Sequence, residues 1–223
     1  ELARALDDYV DECGLALVGG CCGTTPEHIR QLVEAIGPQR PVKQRTPQVI
    51  NAVASLYSDV ALKQDTSYLA IGERTNANGS KAFREAMLAG NWDECVQIGR
   101  DQSRSGAHVV DLCVDYVGRD GAEDMVELAS RFAGAVTLPV MLDSTEPAVI
   151  EAGLNHLPGR AIINSVNFED GDGPNSRFQR VMPLVKEHGA AVVALTIDEQ
   201  GQARTTEWKV QVAERLIATP TND

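Results

Sequence analysis

YLAIGERTNANGSKAFREAM, residues 68–87, decides how the rest of the chain is read. A short apolar run, Leu69–Gly72, predicts a strand that ends abruptly in polar and carboxamide groups: Glu73, Arg74, Thr75, Asn76 and Asn78. A helix is expected from about Ser80, whose hydroxyl can accept a hydrogen bond from the free amides of the first turn. Strand, polar tip and helix make the unit from which α/β proteins build sites at the carboxyl ends of their strands.

Downstream the unit recurs. The first is followed by a second helical stretch, Asn91–Ser105, and then by the strand His108–Val114, which closes on Asp115. Its helix, Ala122–Ala133, carries Met125, Leu128, Ala129 and Phe132 on one face. Leu138–Leu142 ends at Asp143, and Glu146-Pro147 opens a helix through Leu154. Arg160–Ile163 ends at Asn164, and the acidic loop EDGDGPNS (169–176) leads to a helix with Phe178, Val181, Met182 and Val185 at i, i+3, i+4 and i+7. Ala190–Ile197 ends at Asp198 before a last helix over Thr206–Ala218.

Consecutive strands joined by helices imply right-handed crossovers and a parallel sheet. Five such units fit either a doubly wound sheet or part of a (β/α)8 barrel, and periodicity does not separate the two. The polar tips favour an incomplete TIM-type barrel. Glu73 with Asn76, Asp111 with Asp115, Asp143, Asn164 and Asp198 occupy all five strands. An open sheet needs site residues only beside its switch point, whereas a barrel collects them from all its strands.

The segment before residue 68 is different. Leu2, Leu6, Tyr9, Val10 and Cys13 follow helical spacing, and Leu15–Gly19 is expected as a short buried strand. GGCCGTTPEHI (19–29) follows, with Thr25 as N-cap and Pro26 at the first position of a helix running to Ile36. Residues 1–37 are too few elements for a core of their own and read as the end of a domain. Residues 38–67, with scattered prolines and little periodicity, read as an inter-domain linker lying on a surface, with Val53–Tyr57 packed somewhere. Residues 68–223 form the second domain. Glu1 falls inside a helical pattern and no strand follows the last helix, so both ends read as cut.

Composition narrows the function classes. The 223 residues are 43% hydrophobic and 23% charged, ordinary globular values. Lys and Arg number 20 against 32 Asp and Glu, a net charge of −12. An acidic chain without a basic cluster is a poor partner for nucleic acid or a membrane surface. No apolar run approaches the ~20 residues of a membrane span, and no signal peptide opens the chain. Five cysteines without regular spacing argue against a disulfide framework. The expectation is a soluble, cytoplasmic protein.

Asp143 and Asn164 carry the most chemistry. A carboxylate accepts two parallel hydrogen bonds and a neighbouring carboxamide both donates and accepts, which suits a pterin or guanine-like ring. Each alone could instead cap a helix or satisfy a turn; with Glu73 and Asn76 nearby, the ligand reading is the better one. Cys21 and Cys22 lie ahead of a helix N-terminus, where the helix field favours thiolates. Two thiolates are half a tetrahedral zinc site; the alternatives are two small buried residues or a strained vicinal disulfide, which is rare. His28 lies a turn into the helix and is expected to face solvent. The loop at 169–173 lacks a calcium ligand series. Cys13, Cys95 and Cys113 fall on apolar patterns and read as core. His108, His156 and His188 share no metal spacing, and no phosphate loop or dinucleotide fingerprint occurs.

GGCCGTTPEHI, IGERTNANGSKAFREAM, VVDLCVDYVG, VMLDSTE, AIINSVNFEDG and ALTIDEQGQAR, in this order, resemble the cobalamin-dependent methionine synthase family over almost the whole chain. The resemblance implies that residues 1–37 end a homocysteine-binding barrel and that residues 68–223 supply the first five βα units of a pterin-binding barrel. It implies a methyltransferase that moves a methyl group from 5-methyltetrahydrofolate through cobalamin to homocysteine. Cys21 and Cys22 match two adjacent zinc ligands, the third lying upstream. Asp143 and Asn164 match residues that hydrogen-bond the pterin ring, joined by Glu73, while Asn76 and Asp111 are orienting groups. Cobalamin would sit on another module of the same parent chain. A stand-alone corrinoid methyltransferase or dihydropteroate synthase-like protein is the alternative enzyme, which the double cysteine disfavours. A non-catalytic folate-binding module is the other alternative.

Overall fold

In the computed structural model, which describes residues 1–37 and 50–219, the chain divides into two units, Glu1–Val49 and Ile50–Asp223. The first contains helices α1 (Leu2–Cys13) and α2 (Pro26–Ile36), packed on each other. Thr25 caps α2 as expected, with Pro26 at its first position. His28, although exposed, is not idle: its Nδ1 accepts the Thr25 N–H at 3.1 Å, the reciprocal half of a capping box. The expected strand at Leu15–Gly19 does not form, and Leu17 is 91% exposed. No strand forms among the described residues of this unit, and an apolar run becomes a strand only against a partner.

The second unit opens with an antiparallel hairpin, β1 (Ala52–Ala54) and β2 (Asp59–Ala61). Then come β3 (Ile71–Asn76), α3 (Lys81–Leu88), α4 (Trp92–Arg104), β4 (Val109–Cys113), α5 (Gly121–Ala135), β5 (Val140–Asp143) and α6 (Pro147–His156). They are followed by β6 (Ile162–Val166), α7 (Arg177–His188), β7 (Ala191–Ala194), a short hairpin of β8 (Ile197–Asp198) and β9 (Gly201–Gln202), and α8 (Thr206–Ala218). The sheet is parallel throughout, in the order β3-β4-β5-β6-β7. Spatial order follows chain order without reversal. A doubly wound sheet reverses at its switch point, so this is the arc of a (β/α)8 barrel.

Alternation along the strands sorts the core. Val110, Leu112, Leu142 and Ile163 face the helices and meet Leu128, Phe132 and Ile150. Val109, Met141 and Ile162 face the other way and cluster with Val53 of the hairpin. Helices come close where a side chain is missing: a Cβ on Gly153 of α6 would lie 2.6 Å from Leu142. Ser80 caps α3 by accepting the Phe83 N–H.

The stretch expected as a linker, 38–67, lies outside the described residues from 38 to 49. From residue 50 the chain belongs to the second unit, and the hairpin plugs the amino ends of the strands. Ala54 and Arg160 exchange backbone hydrogen bonds at 3.0 and 2.9 Å, and the Arg160 guanidinium donates to Ala52 O and Gly189 O. The Tyr57 hydroxyl donates to Gly134 O at 2.6 Å, and that of Ser55 to Thr137 O at 2.7 Å. Val53 is fully buried, which is worth about 1.5–3 kcal/mol.

Two strand boundaries also differ. β3 runs through Asn76 instead of ending at Gly72, so Glu73 and Asn76 are strand residues. A register shift between Gly72 and Thr75 lets this polar stretch stay paired. Gln102 of α4 fills the irregularity: its carboxamide oxygen accepts the Arg74 N–H at 2.7 Å and its nitrogen donates to Thr75 Oγ1 at 3.1 Å. Asp198 is not at the tip of β7, which ends at Ala194; it sits in the β8–β9 hairpin.

Candidate functional site

The inward face of the sheet changes character along its strands. At the amino end it is apolar and closed by Val53. At the carboxyl end it bears Asn76, Asp111, Cys113, Asp143 and Asn164 from four neighbouring strands, and the registers fix their levels. Asn76 pairs with Cys113 and Asp143 with Asn164, whereas Asp111 pairs with Met141. Asp111 is therefore one layer deeper, level with Met141 and Ile162 of the apolar plug.

Asn76 is the hub. Its Oδ1 accepts the backbone N–H groups of Asn78 and Gly79 at 2.9 and 3.1 Å, an Asx turn that fixes which way the amide points. Its Nδ2 then donates to Asp111 Oδ2 at 2.8 Å and to Asp143 Oδ2 at 2.9 Å. Both protons of one amide are spent on two carboxylates. Asp111 is 2% exposed, and its Oδ1 is buried without a hydrogen-bond partner. Burial pushes its carboxyl up to about 7; the Asn76 hydrogen bond opposes this, and the charges of Asp143 and Glu73 add to it. Asp143 is also raised, mainly by burial. Asn76 opposes that shift, the Asp115 charge adds to it, Arg177 opposes it and Glu73 adds to it.

Asn164 is half-buried beside Asp143, and its carboxamide has no partner among the described residues. Glu73 is exposed and acts on the pair through its charge. Cys113 is in the floor of the site: burial holds its thiol neutral, pushed up to about 12, and Asn78 Nδ2 approaches its sulfur at 3.5 Å. The apolar run around Cys113 hid this, since burial alone does not say which side of a sheet a residue faces.

Asp115 and Asp198, polar tips in the sequence, are tied up structurally. Asp115 accepts the Ser144 hydroxyl at 2.9 Å and the Thr145 N–H at 3.3 Å, joining the tips of β4 and β5. Arg177 donates to Ser144 O at 2.8 Å and brings α7 to the same corner. Asp198 accepts the Trp208 indole N–H at 2.6 Å and the Gln200 N–H at 2.9 Å. Ser144 and Gln102 were missed in the sequence. Gln102 had a signal, a polar residue continuing the buried face Cys95, Val96, Gly99.

In the other unit, the Cys21 and Cys22 sulfurs are exposed and 4.0 Å apart, and neither is in a disulfide. Two thiolates bound at ~2.3 Å to a tetrahedral zinc lie roughly 3.8 Å apart, so the pair fits adjacent corners of such a site. Among the described residues no third His, Cys, Asp or Glu joins them.

A parallel barrel arc with polar side chains gathered at its carboxyl end is the architecture of a TIM-type enzyme, and the chain belongs to the pterin binding enzyme family, whose pattern matches residues 72–221. Residues 1–36 match the homocysteine S-methyltransferase family. The chain is 62% identical over 218 residues to methionine synthase of Mycobacterium tuberculosis and 61% identical over 221 residues to that of Mycobacterium leprae. Each alignment covers 97% of this chain and 18% of the relative, so the chain spans about a fifth of those proteins. Among solved structures, 7,8-dihydropteroate synthase from Vibrio fischeri ES114 superposes with a TM-score of 0.50 at 16% identity, over 75% of this chain and 61% of that one. That likeness concerns the fold. No helix among the described residues is long and apolar enough to cross a membrane.

Proposed function

We propose that this chain is part of a cytoplasmic methyltransferase that carries a methyl group from 5-methyltetrahydrofolate, by way of cobalamin, to homocysteine, giving methionine and tetrahydrofolate. The carboxyl end of the sheet holds the pterin. The observation that carries this is the inward layer in which Asp143 and Asn164 stand side by side above Asp111, whose Oδ1 is buried without a partner. Asp143 accepts the paired N–H and amino donors on the pyrimidine edge of the ring, and Asn164 offers a donor and an acceptor to its neighbours. Glu73 adds an acceptor at the rim, and Asn76 with Asp111 orients Asp143. Held this way, the ring presents its methyl-bearing nitrogen at a fixed place, which is the positional part of catalysis.

Residues 1–37 are read as the end of a homocysteine-binding barrel, and the pterin-barrel unit as beginning at residue 50, with the hairpin expected as linker forming part of it. Cys21 and Cys22 would supply two thiolates to a zinc ion. Zinc supplies Lewis acidity that keeps a bound thiol deprotonated at neutral pH. Cobalamin belongs to another module of the same parent chain, and none of the residues here is assigned to it. The free thiols suit a reducing cytoplasm.

Calorimetric titration of 5-methyltetrahydrofolate into the full chain and its Asn164→Ala variant tests the reading. Removing one partner of a ring hydrogen bond is expected to cost about 1–2 kcal/mol, roughly 5- to 30-fold in affinity. Unchanged affinity would return Asn164 to a structural role and move the ring elsewhere.

A further inference from the structure

We propose that Asn76 is a positioning residue that clamps Asp111 and Asp143 into one unit holding a single proton, so that Asp111 Oδ1 serves as a hydrogen-bond donor to an acceptor atom of the bound ring while Asp143 stays an acceptor. This deepens the pterin reading and rests on it for the identity of the ring.

The geometry leaves little freedom. The Asn76 amide cannot turn over without losing the Asn78 and Gly79 N–H groups, so its two protons point at Asp111 and Asp143. Two carboxylates bridged by one nitrogen are close enough that both do not ionise freely, and they titrate as a pair. Asp111 takes the proton, being the deeper and more buried of the two. Asp143 lies higher, with the Arg177 guanidinium facing it. The other groups facing the pair are Glu73 on β3, Asp115 beyond β4 and the neutral Cys113 thiol. None of these takes the proton from Asp111 or offers it a cation. Asp111 Oδ1, buried without a partner, then has a role. Carrying the proton, it is a buried donor without a partner, which an acceptor atom of the ring would satisfy. The raised affinity of Asp111 for a proton agrees with this.

Chemically the pocket floor then presents one donor and one acceptor from the same residue type, which a pair of ionised aspartates does not. A flat heterocycle with an acceptor next to its donor edge is favoured over one that offers donors only.

The test has a ligand-free arm and a ligand arm, both in the full chain. With aspartate carboxyl carbons labelled with 13C, the wild type is expected to show an aspartate titration with a midpoint near 7. It should vanish in Asp111→Asn and move upward in Asn76→Ala, because the amide favours ionisation of both carboxyls. Asn76→Asp, which keeps the oxygen that accepts Asn78 and Gly79, should also move it upward, a check should the alanine variant fold poorly. No aspartate titrating above the ordinary carboxylate range, or a titration that survives Asp111→Asn, overturns the clamp. In the second arm, wild-type affinity for 5-methyltetrahydrofolate should fall roughly tenfold per pH unit above the midpoint, and the Asp111→Asn profile should be flat. A flat wild-type profile from pH 6 to 8.5 overturns the donor role. If Asp143→Ala binds as well as wild type, the pterin reading itself fails and the ring contact fails with it, while the carboxyl titration still decides the clamp.

Discussion

The two ends of the inward sheet face are built from the same strands, two residues apart, and do opposite things. At the amino end Val109, Met141 and Ile162 close on Val53. Two residues along each strand, Asp111, Asp143 and Asn164 occupy the next inward positions, Asp111 one layer below the other two, with Asn76 bridging the two carboxylates. The lower layer gains its stability from burial. The upper layer costs stability, because it buries the Asp111 carboxyl with one oxygen left unpartnered. A parallel barrel keeps these demands apart by assigning them to opposite ends.

The contrast can be broken at either end. Ile162→Ala removes a core side chain at the plug and is expected to destabilise the fold by about 2–5 kcal/mol in denaturant unfolding, equally at pH 5 and pH 8. A loss well below that range would mean the hairpin is not a true plug. Asp111→Asn should behave in the opposite manner. The folded-state pKa, about 7, lies above the ordinary value of 3.8 for an aspartate. The folded protein therefore holds a proton that the unfolded chain has lost, and the resulting stability is complete below about pH 4 and vanishes as pH rises through 7. Replacing the acid by a neutral amide should make the protein more stable than wild type at pH 8, by up to roughly 4 kcal/mol from the pKa difference, with the gain shrinking towards pH 4. A pH-independent difference would remove Asp111 from the proton account. The smallest effect is at Gly159, where φ is +79° and a Cβ would lie 2.4 Å from Ala54 O. Gly159→Ala should cost about 1–3 kcal/mol by straining the hairpin contact, leaving the pH profile unaltered.

Much of this layout could be read from the residues. Regular βα alternation and a polar group on each of five strands pointed to an incomplete barrel, and Asp143 and Asn164 were found as neighbours because each ends an apolar run. What was not legible depended on partners far along the chain. β3 continues to Asn76 because Gln102 of α4 supplies hydrogen bonds to a register irregularity, which no local pattern reveals. The β1–β2 hairpin has strands of three residues, held by Arg160 more than a hundred positions later, so its composition resembled a linker. Asp198 has the sequence pattern of one more site residue, but its carboxylate is held by the Trp208 indole N–H. Leu15–Gly19 looked like a strand because it is apolar, but apolarity without a partner does not make one.

The most direct measurement compares Asp143→Ala with Ile162→Ala in the full chain, recording for each both the affinity for 5-methyltetrahydrofolate and the unfolding free energy. If the carboxyl end is the ligand end, Asp143→Ala loses a charged hydrogen-bond pair to the ring. Affinity should then fall by roughly 10- to 150-fold, from a cost of about 1.5–3 kcal/mol, with little change in stability. Ile162→Ala should lose stability while the folded protein keeps its affinity. Unchanged folate binding in Asp143→Ala, or equal loss of affinity in both variants, would contradict the division of labour between the two ends.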